Sequence, residues 1–242
     1  MQSTSAANFQ VFYLDHSTSS SVKSLSIDNV SGQWTYLQSS TANMSCIVVK
    51  SSTLFLALRL DTEAGTFVTH SSISLSNIPT AVLSTAFTVG ENCELLLSGS
   101  SIYSISSSGL NFIRLFSGIK AYSSSLKFIV DGSSLFGYTG SNFVSTPLAT
   151  YTQYSIINNY QNYLVVSGSR STGTTTFSVQ QTIFFAIFSN NNFNIFNSIN
   201  ITATSNPTNT IPVMVSPQMT KIHYQYYSGT TLNVIFKELD FD

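Results

Sequence analysis

A short apolar run, a turn built on Ser-Gly or Asp-Gly, and an alternating strand recur along this chain. "ELLLSGSSIYSIS" (residues 94–106), "KFIVDGSSLFGYT" (127–139) and "YQYYSGTTLNVIF" (224–236) share the pattern. "CIVV" followed by residues 50–54 is a fourth copy. Weaker copies turn at residues 15–17, 167–169 and 189–192. The apolar runs suit strands buried on both faces, because β-branched and aromatic side chains fill a pleated surface. Gly, Asn and Ser then supply a tight turn. The outgoing strand alternates, as a half-exposed strand does. Seven hairpins are therefore expected.

Cys46 and Cys93 lie 47 positions apart. At that offset Ser51 falls on Ser98, Phe55 on Ile102 and Leu58 on Ile105. A repeat that varies between about 33 and 48 residues is usual for propeller blades, whose outer loops change length freely. Windows with helical period and strong helix formers are absent. The expectation is all-β: a single β-propeller of five to seven small blades over residues 1–242. Its first and last strands would pair in a shared closing blade, removing open edges. A β-sandwich or jelly roll is the alternative.

The segment "FQVFYLDHSTSSSVKSLSIDNVSGQW" (9–34) resembles one blade of the fungal fucose-type lectin propellers, through "VFYLD", "SVKSLSI" and "GQW". "IHYQYYSGTTLNVIFKELD" near the C-terminus is a looser match. The resemblance implies a propeller. That family's sugar pocket uses Arg, Glu and aromatic residues in every blade, whereas this chain has one Trp, three Arg and four Glu.

Composition bounds the function. Charged residues are 8%, against about 25% in an average soluble domain. Ser, Thr and Asn supply 90 of 242 residues, and 18 Phe and 12 Tyr argue against disorder. Nine scattered Lys and Arg form no basic stripe, so nucleic acid is not an expected partner. The most apolar run, "IFFAIF", is far shorter than a membrane span, so no membrane insertion is expected.

No catalytic set is legible. Asp15, His16 and Ser17 are adjacent, and adjacent side chains point apart rather than converge. His16, His70 and His223 lack metal-ligand spacing. Asp61 with Glu63, and Glu91 with Glu94, flank expected turns. No enzyme activity and no cofactor are expected. Cys46 and Cys93 are read as buried free thiols or as one disulfide. Asn29, Asn43 and Asn200 head glycosylation sequons, a number that chance placement also yields.

Aromatic rings cover the CH faces of sugars, and amides donate and accept. Trp34, Tyr138, Tyr160 and Tyr163 are thus the candidate ligand-binding residues. The expectation is a non-catalytic recognition or adhesion module, carbohydrate-binding and located at a cell or virion surface. The alternative is a structural subunit of an extracellular or viral assembly. Glycans or other protein subunits are the expected partners, with a homo-oligomer or larger assembly.

Overall fold

The computed structural model describes residues 9–15, 21–27, 35–36, 46–50, 53–61, 66–84, 87–172, 178–204 and 210–239. The chain divides into two compact units, Met1–Phe116 with Ser124–Leu126, and Ser117–Ser123 with Lys127–Asp242.

The first unit begins with a hairpin of β1 (Phe9–Asp15) and β2 (Ser21–Ile27). A four-stranded sheet follows: β3 (Thr35–Tyr36), β4 (Cys46–Lys50), β5 (Leu54–Asp61) and β6 (Thr66–Ser74). A 3-10 turn (Leu75–Asn77) and the short helix α1 (Thr80–Ser84) lead to the next sheet. It holds β7 (Phe87–Val89), β8 (Leu95–Ser98), β9 (Ser101–Ser106) and β10 (Gly109–Leu115).

The second unit opens with a sheet of β11 (Ile119–Tyr122), β12 (Phe128–Asp131), β13 (Ser134–Tyr138) and β14 (Phe143–Pro147). The next is β15 (Gln153–Tyr160), β16 (Tyr163–Ser171), β17 (Val179–Ser189) and β18 (Asn192–Ala203). A three-stranded sheet of β19 (Val213–Val215), β20 (Lys221–Ser228) and β21 (Thr231–Glu238) ends the described chain.

Within each sheet every described strand pairs antiparallel with the strands next to it in sequence. Successive up-and-down meanders of this kind are the strand plan of a β-propeller. The fold is all-β, and six sheets occur among the described residues, within the expected five to seven. A sandwich or jelly roll needs strands that cross from one sheet to another; no described strand does so. One domain closed by its end strands remains an expectation.

The turns follow the residues. Ser98 pairs with Ser101 and Asp131 with Ser134, enclosing two-residue loops. Gly99 and Gly132 take φ of 58° and 59° at the first loop position, as a II′ hairpin requires. Asn190 and Asn191 both take positive φ between the paired Ser189 and Asn192, a I′ geometry that Asn tolerates.

One expected hairpin is wrong. Residues 167–169 are no turn; they sit inside β16, where Gly168 pairs with Tyr154 and Thr182. The glycine is there for space: a Cβ on it would lie 2.5 Å from Cδ2 of Tyr151. The real turn falls earlier, between the paired Tyr160 and Tyr163.

A second recurring turn has no counterpart in the sequence expectation. Gly90 N–H donates to Leu95 O, Ser123 N–H to Phe128 O, and Ser216 N–H to Lys221 O, each at 2.9 Å. The fourth residue of each turn, Cys93, Leu126 or Met219, has φ near +60° and is buried. Cys93 is bonded to Cys46 as a disulfide. The free-thiol alternative is therefore corrected.

Three clusters form the core among the described residues. In the first unit Val48, Phe55, Ile73, Val82, Val89 and Leu96 pack around the disulfide. In the second, Leu164, Val166, Phe184 and Ala186 face one cluster. Val165, Ile183 and Phe185 face the other. Side chains alternate between faces, so β16 and β17 are buried on both sides, which explains their unbroken apolar runs.

Candidate functional site

The face of β16 and β17 that carries Val165 and Ile183 changes character along the strands. Beyond Val165 come Ser167 and Ser169, and beyond Ile183 comes Gln181; all three are buried. The register sets Gln153 beside Ser169 and Ser169 beside Gln181, with Ser155 beside Ser167. A two-by-two grid of Gln153, Ser155, Ser167 and Ser169 results. Directly opposed Cβ atoms lie about 5 Å apart, and alternate residues of one strand lie about 7 Å apart.

These side chains line a cleft of about 460 Å³ within the second unit. Lys120 of β11 and the segment from Thr210 to Val213 complete its walls. Gln181 holds that segment: its Nε2 donates to Ile211 O at 2.8 Å, and Ile211 N–H donates to its Oε1 at 2.6 Å. The amide thus mimics a strand partner, with both its ends engaged. Thr152 donates through N–H and Oγ1 to Ser169 O. Among the described residues the hydroxyls of Ser167 and Ser169 make no hydrogen bond to protein. Both residues line the cleft, so both hydroxyls are available to whatever occupies it.

Lys120 is the one charged residue in the lining. The lining holds no His or carboxylate to take a proton from either serine. On the opposite face of the sheet, Tyr154 donates its hydroxyl to Ala149 O and accepts from Tyr151 N–H. Burial pushes the Tyr154 phenol up from its ordinary value, ahead of the opposing backbone bond from Tyr151. Tyr151 and Thr182 share a short hydroxyl contact, and Thr182 donates to Oδ1 of Asn200 at 2.6 Å.

The expected ligand-binding residues lie elsewhere. Trp34 is outside the described residues, as are Asn29 and Asn43. Tyr138 donates its hydroxyl to Gly140 O at 2.7 Å and packs on Phe143. Tyr160 and Tyr163 face each other across their turn, and Tyr163 packs edge-on against Phe196. None of these tyrosines lines the cleft. Ser167, Ser169, Gln181 and Lys120 were not expected, because "VVSGSR" reads as a hairpin turn. The signal was Ser at alternate positions directly after a buried run.

A larger hollow of about 550 Å³ borders β19–β21 and is lined mainly by apolar groups, including Met214 and Phe236. His223 stacks on Phe236 there. Ser216, Lys221, Lys237 and Glu238 stand at its margin.

No family model matches the chain, and no curated protein matches it. Solved structures do. A "putative 6-phosphogluconolactonase" from Bacteroides uniformis is 9% identical, with 98% of this chain and 80% of that chain covered and a TM-score of 0.42. A protein of the same name from Bacteroides fragilis is 11% identical, with the same coverage and a TM-score of 0.38. A Lactobacillus plantarum protein is 9% identical over 96% of this chain and 82% of its own, with a TM-score of 0.37.

These matches correct three expectations: the non-catalytic recognition module, its structural-subunit alternative, and the absence of enzyme activity. Two of the matched structures are named for an enzyme, and none of the three for a lectin or an assembly subunit. With TM-scores below 0.5 they assign no activity to this chain.

Proposed function

We propose that the cleft of the second unit binds a small polyhydroxylated molecule of the sugar or sugar-acid class. One observation carries this reading: the side chains of Ser167 and Ser169 line the cleft, and their hydroxyls make no hydrogen bond to protein among the described residues. A hydroxylated ligand supplies both donors and acceptors to such groups. The cleft is of the size ordinary for small-molecule sites.

Titration calorimetry on the folded chain tests it. The panel is a neutral monosaccharide, its aldonic acid, its 6-phosphate and 6-phosphogluconolactone, with acid release followed for the last. At least one member is expected to bind, and Ser167→Ala with Ser169→Ala to weaken it about thirtyfold, as loss of two hydrogen bonds worth roughly 1 kcal/mol each implies. A panel with no binder, or serine variants that bind as wild type, sinks the proposal.

The proposed compartment is extracellular or surface-exposed. The Cys46–Cys93 disulfide supports it, since disulfides persist where the surroundings oxidise. Thiol trapping of chain taken directly from its native cells reads this separately; reduced cysteines would count against it.

A further inference from the structure

We propose that Asn200 carries an N-linked glycan, and that the glycan shields the open edge of β18. The inference rests on the compartment proposed above. Three sequons exist in the chain, and Asn200-Ile201-Thr202 is the one within the described residues.

The strand sorts the sequon by face. Asn200 and Thr202 are exposed, while Ile201 between them is buried at 4% exposure. Residues i and i+2 of a strand share a face, so acceptor amide and hydroxyl stand on the same open side. The amide is also oriented. Its Oδ1 accepts from Thr182 Oγ1 at 2.6 Å, which turns Nδ2 away from that contact. A sugar on Nδ2 therefore leaves the hydrogen bond to Thr182 intact.

The edge itself calls for cover. β18 is the last strand of its sheet, twelve residues long. Exposed edges invite pairing with other chains, and proteins blunt them with charges or proline. The last strands of the other two sheets in this unit do so: β14 ends on Pro147, and β21 carries Lys237 and Glu238. β18, "NFNIFNSINITA", has neither a charge nor a proline. A bulge near Phe196 interrupts its pairing on one side of the strand midpoint; Asn200 lies on the other. A glycan there would block the remaining stretch.

The chemistry is a single substitution. Nδ2 attacks the anomeric carbon of a lipid-pyrophosphate-linked oligosaccharide. The N–C bond forms, the C–O bond breaks with its electron pair leaving on the lipid pyrophosphate, and one amide proton passes to a base.

The test carries the full chain into the secretory pathway of a cultured eukaryotic cell with an added leader. Peptide mapping after enzymatic deglycosylation in heavy-oxygen water should return labelled Asp at position 200. Thr202→Ala should abolish the label while keeping the Asn200–Thr182 contact, and Thr202→Ser should restore it. The T202A protein is expected to aggregate several-fold faster at an unchanged unfolding midpoint. Unmodified Asn200 in chain whose Cys46–Cys93 bond has formed overturns the glycan. A glycan whose loss leaves the aggregation rate unchanged overturns the shielding. Sugar binding in the cleft is measured on the same material, so its failure is read apart from either outcome.

Discussion

Gly168 shows how one residue can mislead and then explain. In a run of serines it reads as a turn, yet it lies where the Tyr151 ring crosses β16, with a Cβ position 2.5 Å from that ring. Gly168→Ala is expected to destabilise the second unit by about 1–3 kcal/mol through overpacking, read as a lowered denaturant midpoint. Gln181→Leu should cost a similar amount, because it leaves the buried Ile211 N–H and C=O without their partners. It should also weaken ligand binding by freeing the cleft wall. Tyr154 predicts a pH effect. Below about pH 10 its phenol is neutral in folded and unfolded chain alike, and adds no pH dependence. Above that, the unfolded phenol ionises first, because burial raises the folded value. Stability therefore falls as pH rises past about 10, until the folded phenol ionises too. Tyr224, also raised chiefly by burial and then by Tyr226, acts in the same direction. Unfolding midpoints between about pH 8 and 11 should fall, and fall less in Tyr154→Phe.

At the level of elements, the turns divide by how they are encoded. Hairpins with Gly99, Gly132 or Asn190–Asn191 are legible because only such residues take positive φ cheaply. The turns holding Cys93, Leu126 and Met219 are not, because an apolar residue in that conformation contradicts local preference. Burial outweighs the strain. The left-handed conformation costs roughly 1–2 kcal/mol, while removing a buried Met or Leu side chain costs roughly 2–5 kcal/mol. Met219→Gly is accordingly expected to destabilise by a net of about 1–3 kcal/mol. A gain in stability, measured by denaturant unfolding, would show that backbone strain outweighs burial at this turn. The strands obey simpler rules. "YLVV" and "IFFAIF" feed two core clusters from opposite faces, and any register slip of one residue would exchange them.

Across the molecule, the described chain is a series of antiparallel meanders that the recurring hairpins already announced. The disulfide belongs to the first unit and closes a loop of 47 residues. Chain-entropy reasoning gives about 4 kcal/mol for a loop of that length. Cys46→Ala with Cys93→Ala should lower the unfolding free energy of that unit by roughly this amount, and faster amide exchange in β4 and β8 would report it. Equal stability with and without reductant would argue that the bond adds nothing.

The order of residues along the chain was enough to specify the strands, six of the seven expected hairpins and the all-β class, because alternation, apolar runs and turn residues act over a few neighbours. It also placed two cysteines at equivalent points of the repeat without deciding whether they pair. The cleft is a product of long-range packing. Ser167 and Ser169 on β16 and Gln181 on β17 become a site only when the register sets them on one face and the Thr210–Val213 segment closes over them. Gln181 and Ile211, which fasten that segment, stand 30 positions apart in sequence, and no local propensity records which face of a strand meets a wall and which meets an opening.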